Sequence, residues 1–187
     1  MPTRNTDIRW GWPSMTLHWG IALLILALLG LGFVMGELPR SPKYFWVYDL
    51  HKSLGLTVLA LMLIRLAWRL YAGAPRPEPG MPGWQNLVAG ATHWAVYALA
   101  LAMPVSGWLY DSASGLRTLK FFGLVTVPKL SAPDPEIKNL SHAVHEYGAW
   151  ILIVLILMHA SAALYHHFIQ RDRTLLRMLP ASFEKSR

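Results

Sequence analysis

Two histidines close the segment HEYGAWILIVLILMH, His145 and His159, with a largely apolar run between them. On an α-helix their fourteen-residue separation is a rise of about 21 Å, at roughly 1.5 Å per residue. It is also close to four whole turns, so both imidazoles point the same way within about 40°. A bilayer core is about 30 Å thick, which puts one ring near each side of it. Neutral imidazole is a ligand for transition metals. A helix carrying two such rings on one face, one near each surface, has the form needed to hold two flat cofactors stacked across a membrane. The remaining helices must then supply the other half of each site.

Those helices are legible as apolar, charge-poor segments. Of the 187 residues 54% are hydrophobic and 14% are charged, where a soluble domain carries about 25% charge. No charged residue occurs in residues 13–36, 79–110 or 147–170, and each stretch reaches the roughly 20 residues a span requires. A fourth segment has an apolar centre at 54–64, with Lys52 at one end and Arg65 and Arg69 at the other, as a span with snorkelling ends would. The expected fold is all-α. It is a four-helix integral membrane bundle forming one domain over residues 1–187, with spans of about 13–36, 48–71, 84–110 and 140–168. Span three carries Pro104 and is expected to bend there.

Ten of the 17 Lys and Arg lie on the side holding both tails and the second loop: Arg4, Arg9, Arg65, Arg69, Arg76, Arg171, Arg173, Arg177, Lys185 and Arg187. The other side holds Arg40, Lys43, Lys52, Arg117, Lys120, Lys129 and Lys138. The bias places both termini in the cytoplasm. Aromatic residues gather at the same borders, Trp10, Trp12, Trp68, Tyr71 and Trp84 inside, and Tyr44, Phe45, Trp46, Tyr48, Trp108 and Tyr110 outside. The net charge of +7 therefore reads as a topology signal. Nucleic-acid binding is not expected, because the basic residues form no separate domain. The first apolar stretch is too long for a signal-peptide core, and no small-x-small cleavage pattern follows it. The Pro-rich linker GAPRPEPGMPG cannot be helical through its prolines. The long connection at 111–139 alternates apolar and basic residues, so part of it is expected on the membrane surface.

Depth then sorts the 8 histidines. His18 sits near the inner end of span one and His51 near the outer end of span two. Span four pairs His159 with His18 at the inner level and His145 with His51 at the outer level. Ionisable residues inside a span are costly and functional by default. The plain alternative is four interface histidines without a ligand. Haem iron held by two neutral imidazoles is saturated, which favours electron transfer over oxygen binding. With no cysteine there is no covalent C-x-x-C-H attachment, so the haem would be b-type. One tetrahedral zinc site fits poorly, since the pairs are far apart and no acidic or thiolate ligand joins them at inner depth. His142, one turn before His145, competes for the outer site. His93 competes for the inner one, or hydrogen-bonds a propionate or quinone. His166 and His167 emerge at the inner surface, solvated or near a propionate.

Arg65 follows His51 by fourteen residues and shares its face, and Arg69 follows one turn on. Both could pair with haem propionates, or simply snorkel. Gly32 follows His18 by the same interval, leaving span one bare where the outer haem needs room. Gly55 and Gly148 lie one turn from the outer ligands, though small residues also serve plain helix packing.

The segments TLHW at His18, LHKSLG at His51 with LIRLAWRL, HEYG…LMHASAALYHHF and the closing RDRTLLRMLP resemble the prokaryotic cytochrome b561 proteins along nearly the whole chain. The resemblance implies a four-helix bundle in the bacterial inner membrane with two b haems. It also implies axial ligands at His18, His51, His145 and His159. Members pass electrons between a periplasmic partner or small reductant and membrane quinone. The length and tail resemble a branch that oxidises superoxide and reduces ubiquinone. A related set of di-haem cytochromes serves hydrogenases and formate dehydrogenases as a membrane subunit.

Overall fold

The computed structural model describes residues 2–39 and 41–180. Arg40, Lys185 and Arg187, counted in the charge bias, lie outside them. Helix α1 (Trp12–Glu37) starts with Pro13 in its first turn, where a missing N–H costs nothing. A 3-10 turn at Pro42–Tyr44 leads into α2 (Phe45–Ala72), which stops at Gly73 in the left-handed region, φ 71. Helix α3 (Gly83–Ala113) runs through Pro104. Two short strands follow, β1 (Lys120–Phe121) and β2 (Val125–Thr126), paired antiparallel with Lys120 opposite Thr126. Helix α4 (Pro135–Tyr165) then passes into a π turn at His166–Gln170.

Helix α4 begins ahead of the apolar run that marks it in the sequence. Asp134 is its N-cap, with its carboxylate accepting from the backbone N–H groups of Glu136 at 2.8 Å and Ile137 at 3.0 Å, and Pro135 opens the first turn. A capped polar turn thus extends the helix beyond what hydropathy detects.

All four helices are long and apolar enough to cross a membrane. Leu23, Leu26, Val154 and Leu157 face outward, exposed. Serines and Arg65 are among the buried residues. This is the arrangement expected where lipid is the solvent. The closest helix–helix approaches run α1 to α2, α2 to α3 and α3 to α4, while α4 meets α1 and α2 through side chains, as Phe33 and Trp150 do at 5.8 Å. The apolar core is one layer, with Ile21 and Ile25 from α1, Val58 and Met62 from α2, Tyr97 and Ala100 from α3, and Leu152 from α4.

The two ends of the bundle are built differently. At the tail end the N-terminal segment, the α2–α3 linker and the C-terminal segment are laced together. Arg76 donates its N–H to Asp7 O at 2.9 Å, and Arg177 pairs with Glu78 at 2.7 Å. Trp19 Nε1 donates to Met178 O at 2.8 Å. At the hairpin end Phe122 N–H donates to Ser53 Oγ at 2.9 Å, Lys52 pairs with Asp111, and Arg117 pairs with Asp49 at 2.7 Å. Phe122 and Gly123 both have positive φ, 47 and 74, as a type I′ turn demands. Glycine adopts that region freely; Phe122 is strained there, and its bond to the fully buried Ser53 holds it.

Candidate functional site

His18 and His159 face each other toward the tail end, with ring centroids 6.0 Å apart and planes at 82°. His51 and His145 do the same toward the hairpin end, 6.2 Å apart at 71°. The four residues that depth sorted into two pairs are therefore brought together as those pairs. Each pair joins α4 to a helix whose backbone it approaches less closely than that of α3. The apolar layer separates the two levels, and Leu152 stands midway between His145 and His159 in the chain.

The pairs fit a metal held between two imidazoles. With metal–nitrogen bonds of about 2 Å and roughly 1 Å from nitrogen to ring centre, two trans rings have centroids about 6 Å apart. His145 Nδ1 lies 2.9 Å from Met103 O and 3.1 Å from Ser106 Oγ. That anchors Nδ1 as the donor and leaves Nε2 as the free nitrogen. Space beside the rings is kept by glycine. A Cβ on Gly107 would come within 3.0 Å of His145 Cε1, and one on Gly32 within 3.9 Å of His51 Cε1. Gly32 is thus bare beside the hairpin-end pair, as its spacing from His18 suggests. Gly55 has no side chain or backbone near the position of a Cβ. Gly148 packs against Met103, whose Sδ would sit 2.7 Å from an added Cβ.

At the tail end the two arginines are enclosed. Arg65 is buried and donates from Nη1 to Ser14 O at 2.8 Å. Its guanidinium carbon lies 5.7 Å from the Tyr97 ring centre. Arg69 sits among Trp10, Trp94 and Tyr97 at 5.6, 5.5 and 5.5 Å, within cation–π range. Neither arginine has an Asp or Glu partner among the described residues. Two cations without carboxylate partners are chemically suited to pair with an anionic group. The aromatic cage has no periodic signature in the sequence, because its members come from the N-terminal segment and α3.

The remaining histidines separate by environment. His93 joins the tail-end group, its ring 5.3 Å from that of His159. His142 points elsewhere, 5.0 Å from the Tyr110 ring and 3.7 Å from Glu146. His166 is half-buried and bonds through Nδ1 to Asp172. Burial raises the Asp172 pKa, but hydrogen bonds from Thr174 and His166 outweigh it and hold the carboxyl below its ordinary value. Ser106, Met103 and Gly107 are contributors that the sequence reading missed. A backbone carbonyl and a glycine within an apolar helix leave no mark in residue type or spacing.

A family model described as prokaryotic cytochrome b561 matches residues 9–181. The chain is 35% identical over 183 residues to cytochrome b561 homolog 2 of Escherichia coli (strain K12), covering 97% of each. It is 37% identical over 166 residues to cytochrome b561 homolog 1 of the same organism, covering 88% of this chain and 93% of the other. It is 31% identical over 168 residues to a probable superoxide oxidase CybB of Yersinia pestis, covering 88% and 92%.

Proposed function

The chain belongs to the prokaryotic cytochrome b561 family, and on that premise we propose that it moves electrons from superoxide to a membrane quinone through two b haems. Membership makes it a multi-pass bacterial membrane protein, a haem b-binding electron-transfer protein and an oxidoreductase in general. The finer reading assigns His51 and His145 to one haem and His18 and His159 to the other. The observation that carries it is the pair of centroid separations, 6.0 and 6.2 Å, at opposite levels of one bundle. When bound, haem b would supply a one-electron couple, and two histidines holding it would favour electron transfer over binding of oxygen.

The chain's own residues divide the remaining work. Arg65 and Arg69 receive the propionates of the tail-end haem, which supply the anions their cage lacks. The layer around Leu152 keeps water out between the two levels. At the hairpin end, which we assign to the periplasm, a cavity of about 640 Å³ opens between α2 and the hairpin segment, lined by Trp46, Asp49, Ser53, Arg117, Lys120 and Phe122. Lys52 and Arg117 spend their charge on Asp111 and Asp49. Of the cations lining that cavity, Lys120 is exposed and without an ion pair among the described residues, so its charge is available to attract a small anion. Both tails then lie in the cytoplasm, the membrane is the inner one, and ubiquinone is the acceptor. Two superoxide oxidations release two molecules of oxygen and provide two electrons, which with two protons taken from water reduce one quinone to quinol.

A second reading is an electron relay serving a periplasmic protein or a dehydrogenase or hydrogenase complex. It is favoured by the apolar hairpin tip, where Leu124 is 85% and Val125 61% exposed. Stopped-flow mixing of oxidised protein with superoxide, followed by a reduced-minus-oxidised spectrum with and without quinone, separates the two. Fast haem reduction that quinone reverses supports the enzyme. No reduction by superoxide excludes it in favour of the relay.

A further inference from the structure

The two rings of the hairpin-end pair are held unequally. His145 Nδ1 has two partners on α3, Met103 O at 2.9 Å and Ser106 Oγ at 3.1 Å. His51 Nδ1 is buried and has no hydrogen-bond partner among the described residues. The anchorage of His145 depends on a bare stretch of helix. Met103 O is already part of α3, and it also accepts from Ser106 Oγ at 2.8 Å. An imidazole from another helix reaches such a carbonyl only where the next turn carries no side chain. Gly107 is that position: a Cβ there would meet His145 Cε1 at 3.0 Å and Nδ1 at 3.2 Å, tighter than ordinary van der Waals contact. Gly148, one turn beyond His145, leaves room for the Met103 side chain, whose Sδ would lie 2.7 Å from a Cβ there, and α3 packs closely on α4. The contact is therefore built from both helices.

We infer that Ser106, Gly107 and the Met103 carbonyl form a positioning device that fixes the tautomer and rotation of His145 and thereby sets the reduction potential of the hairpin-end centre. The inference rests on the assignment of His51 and His145 as ligands. An acceptor on the distal N–H of a ligating imidazole fixes its orientation and raises its basicity. A more basic axial ligand favours the oxidised metal, and outer hydrogen bonding is one of the protein's levers on potential. With His51 unsupported in this way, His145 carries that control for the pair. Of the two centres, only this one should respond to changes at residues 106 and 107.

Gly107→Ala pushes the ring away from Met103 O. Ser106→Ala removes one of the two acceptors and leaves the carbonyl. The measurement is a spectroelectrochemical titration with low-temperature EPR of the purified protein carrying both haems, so the tail-end centre is an internal control. In Gly107→Ala the ferric-to-ferrous equilibrium of the hairpin-end centre should move about tenfold toward ferrous, or about 59 mV for one electron. Its EPR signal should shift as the ring rotates. Ser106→Ala should move the same centre in the same direction by a smaller factor. If Gly107→Ala loads only one haem, Ser106→Ala alone carries the test. An unchanged potential and EPR signal, an equal shift of both centres, or a shift toward ferric overturns the inference. A wild-type protein without two haems would instead overturn the ligand assignment, which a haem assay reads independently.

Discussion

Reversing the charge at Lys120 is the sharpest test of electrostatic attraction at the hairpin end. The side chain is exposed on β1, lines the hairpin-end cavity and has no ion pair among the described residues. A unit charge about 10 Å from an approaching anion in water contributes about 0.4 kcal/mol. Lys120→Glu changes the charge by two units, so its unscreened effect is about 0.8 kcal/mol. At about 0.01 M salt, with a screening length near 30 Å, roughly 0.6 kcal/mol survives and haem reduction should slow about threefold. At physiological ionic strength the length is near 8 Å and the effect falls to about 1.5-fold. Lys52 offers a contrast. It is paired with the buried Asp111, so Lys52→Glu puts two carboxylates together and costs about 3–5 kcal/mol of stability, as breaking a buried pair does. The assay is the stopped-flow rate of haem reduction by superoxide across salt steps, beside thermal unfolding of both variants. A Lys120→Glu rate equal to wild type at low salt refutes the reasoning. So does a rate loss that stays constant as salt rises.

The ligand assignment predicts selective loss: His51→Ala or His145→Ala should remove one haem and spare the tail-end one, and His18→Ala or His159→Ala the reverse. Full haem content in His159→Ala, measured after acid–acetone extraction, contradicts it. A reporter active only in the cytoplasm should work when inserted in the 74–83 linker and fail near Ser131; activity at Ser131 would invert the proposed orientation. Asp172 titrates below its unfolded value near 3.9. Its stabilisation of the C-terminal segment is thus fully present above about pH 4 and fades as pH falls through the lower folded value. Limited proteolysis of that segment should accelerate below about pH 4 in the wild type. Asp172→Asn should be cut faster at neutral pH and gain less on acidification; an identical pH profile for the two proteins counts against the role given to Asp172.

The sequence by itself determined the four spans and the candidate ligands. A bilayer imposes one crude requirement, a long apolar helix, and any charged or imidazole side chain within it stands out. His145 and His159 share a face because fourteen residues are nearly four turns, which is local geometry and needs no fold. The levels of His18 and His51 follow equally from where their spans begin. Tertiary structure decided what surrounds those residues. It put His93 beside His159 and turned His142 toward Tyr110 and Glu146, a choice between two histidines one turn apart that depth alone leaves open. It enclosed Arg69 in rings from the N-terminal segment and α3, and it neutralised Lys52 and Arg117 with Asp111 and Asp49. The sequence could count those charges but could not pair them. The carbonyl of Met103 became a partner of His145 only because α3 and α4 approach where Gly107 is bare. Such contacts join residues far apart in the chain through backbone atoms common to every residue type, so only packing can disclose them.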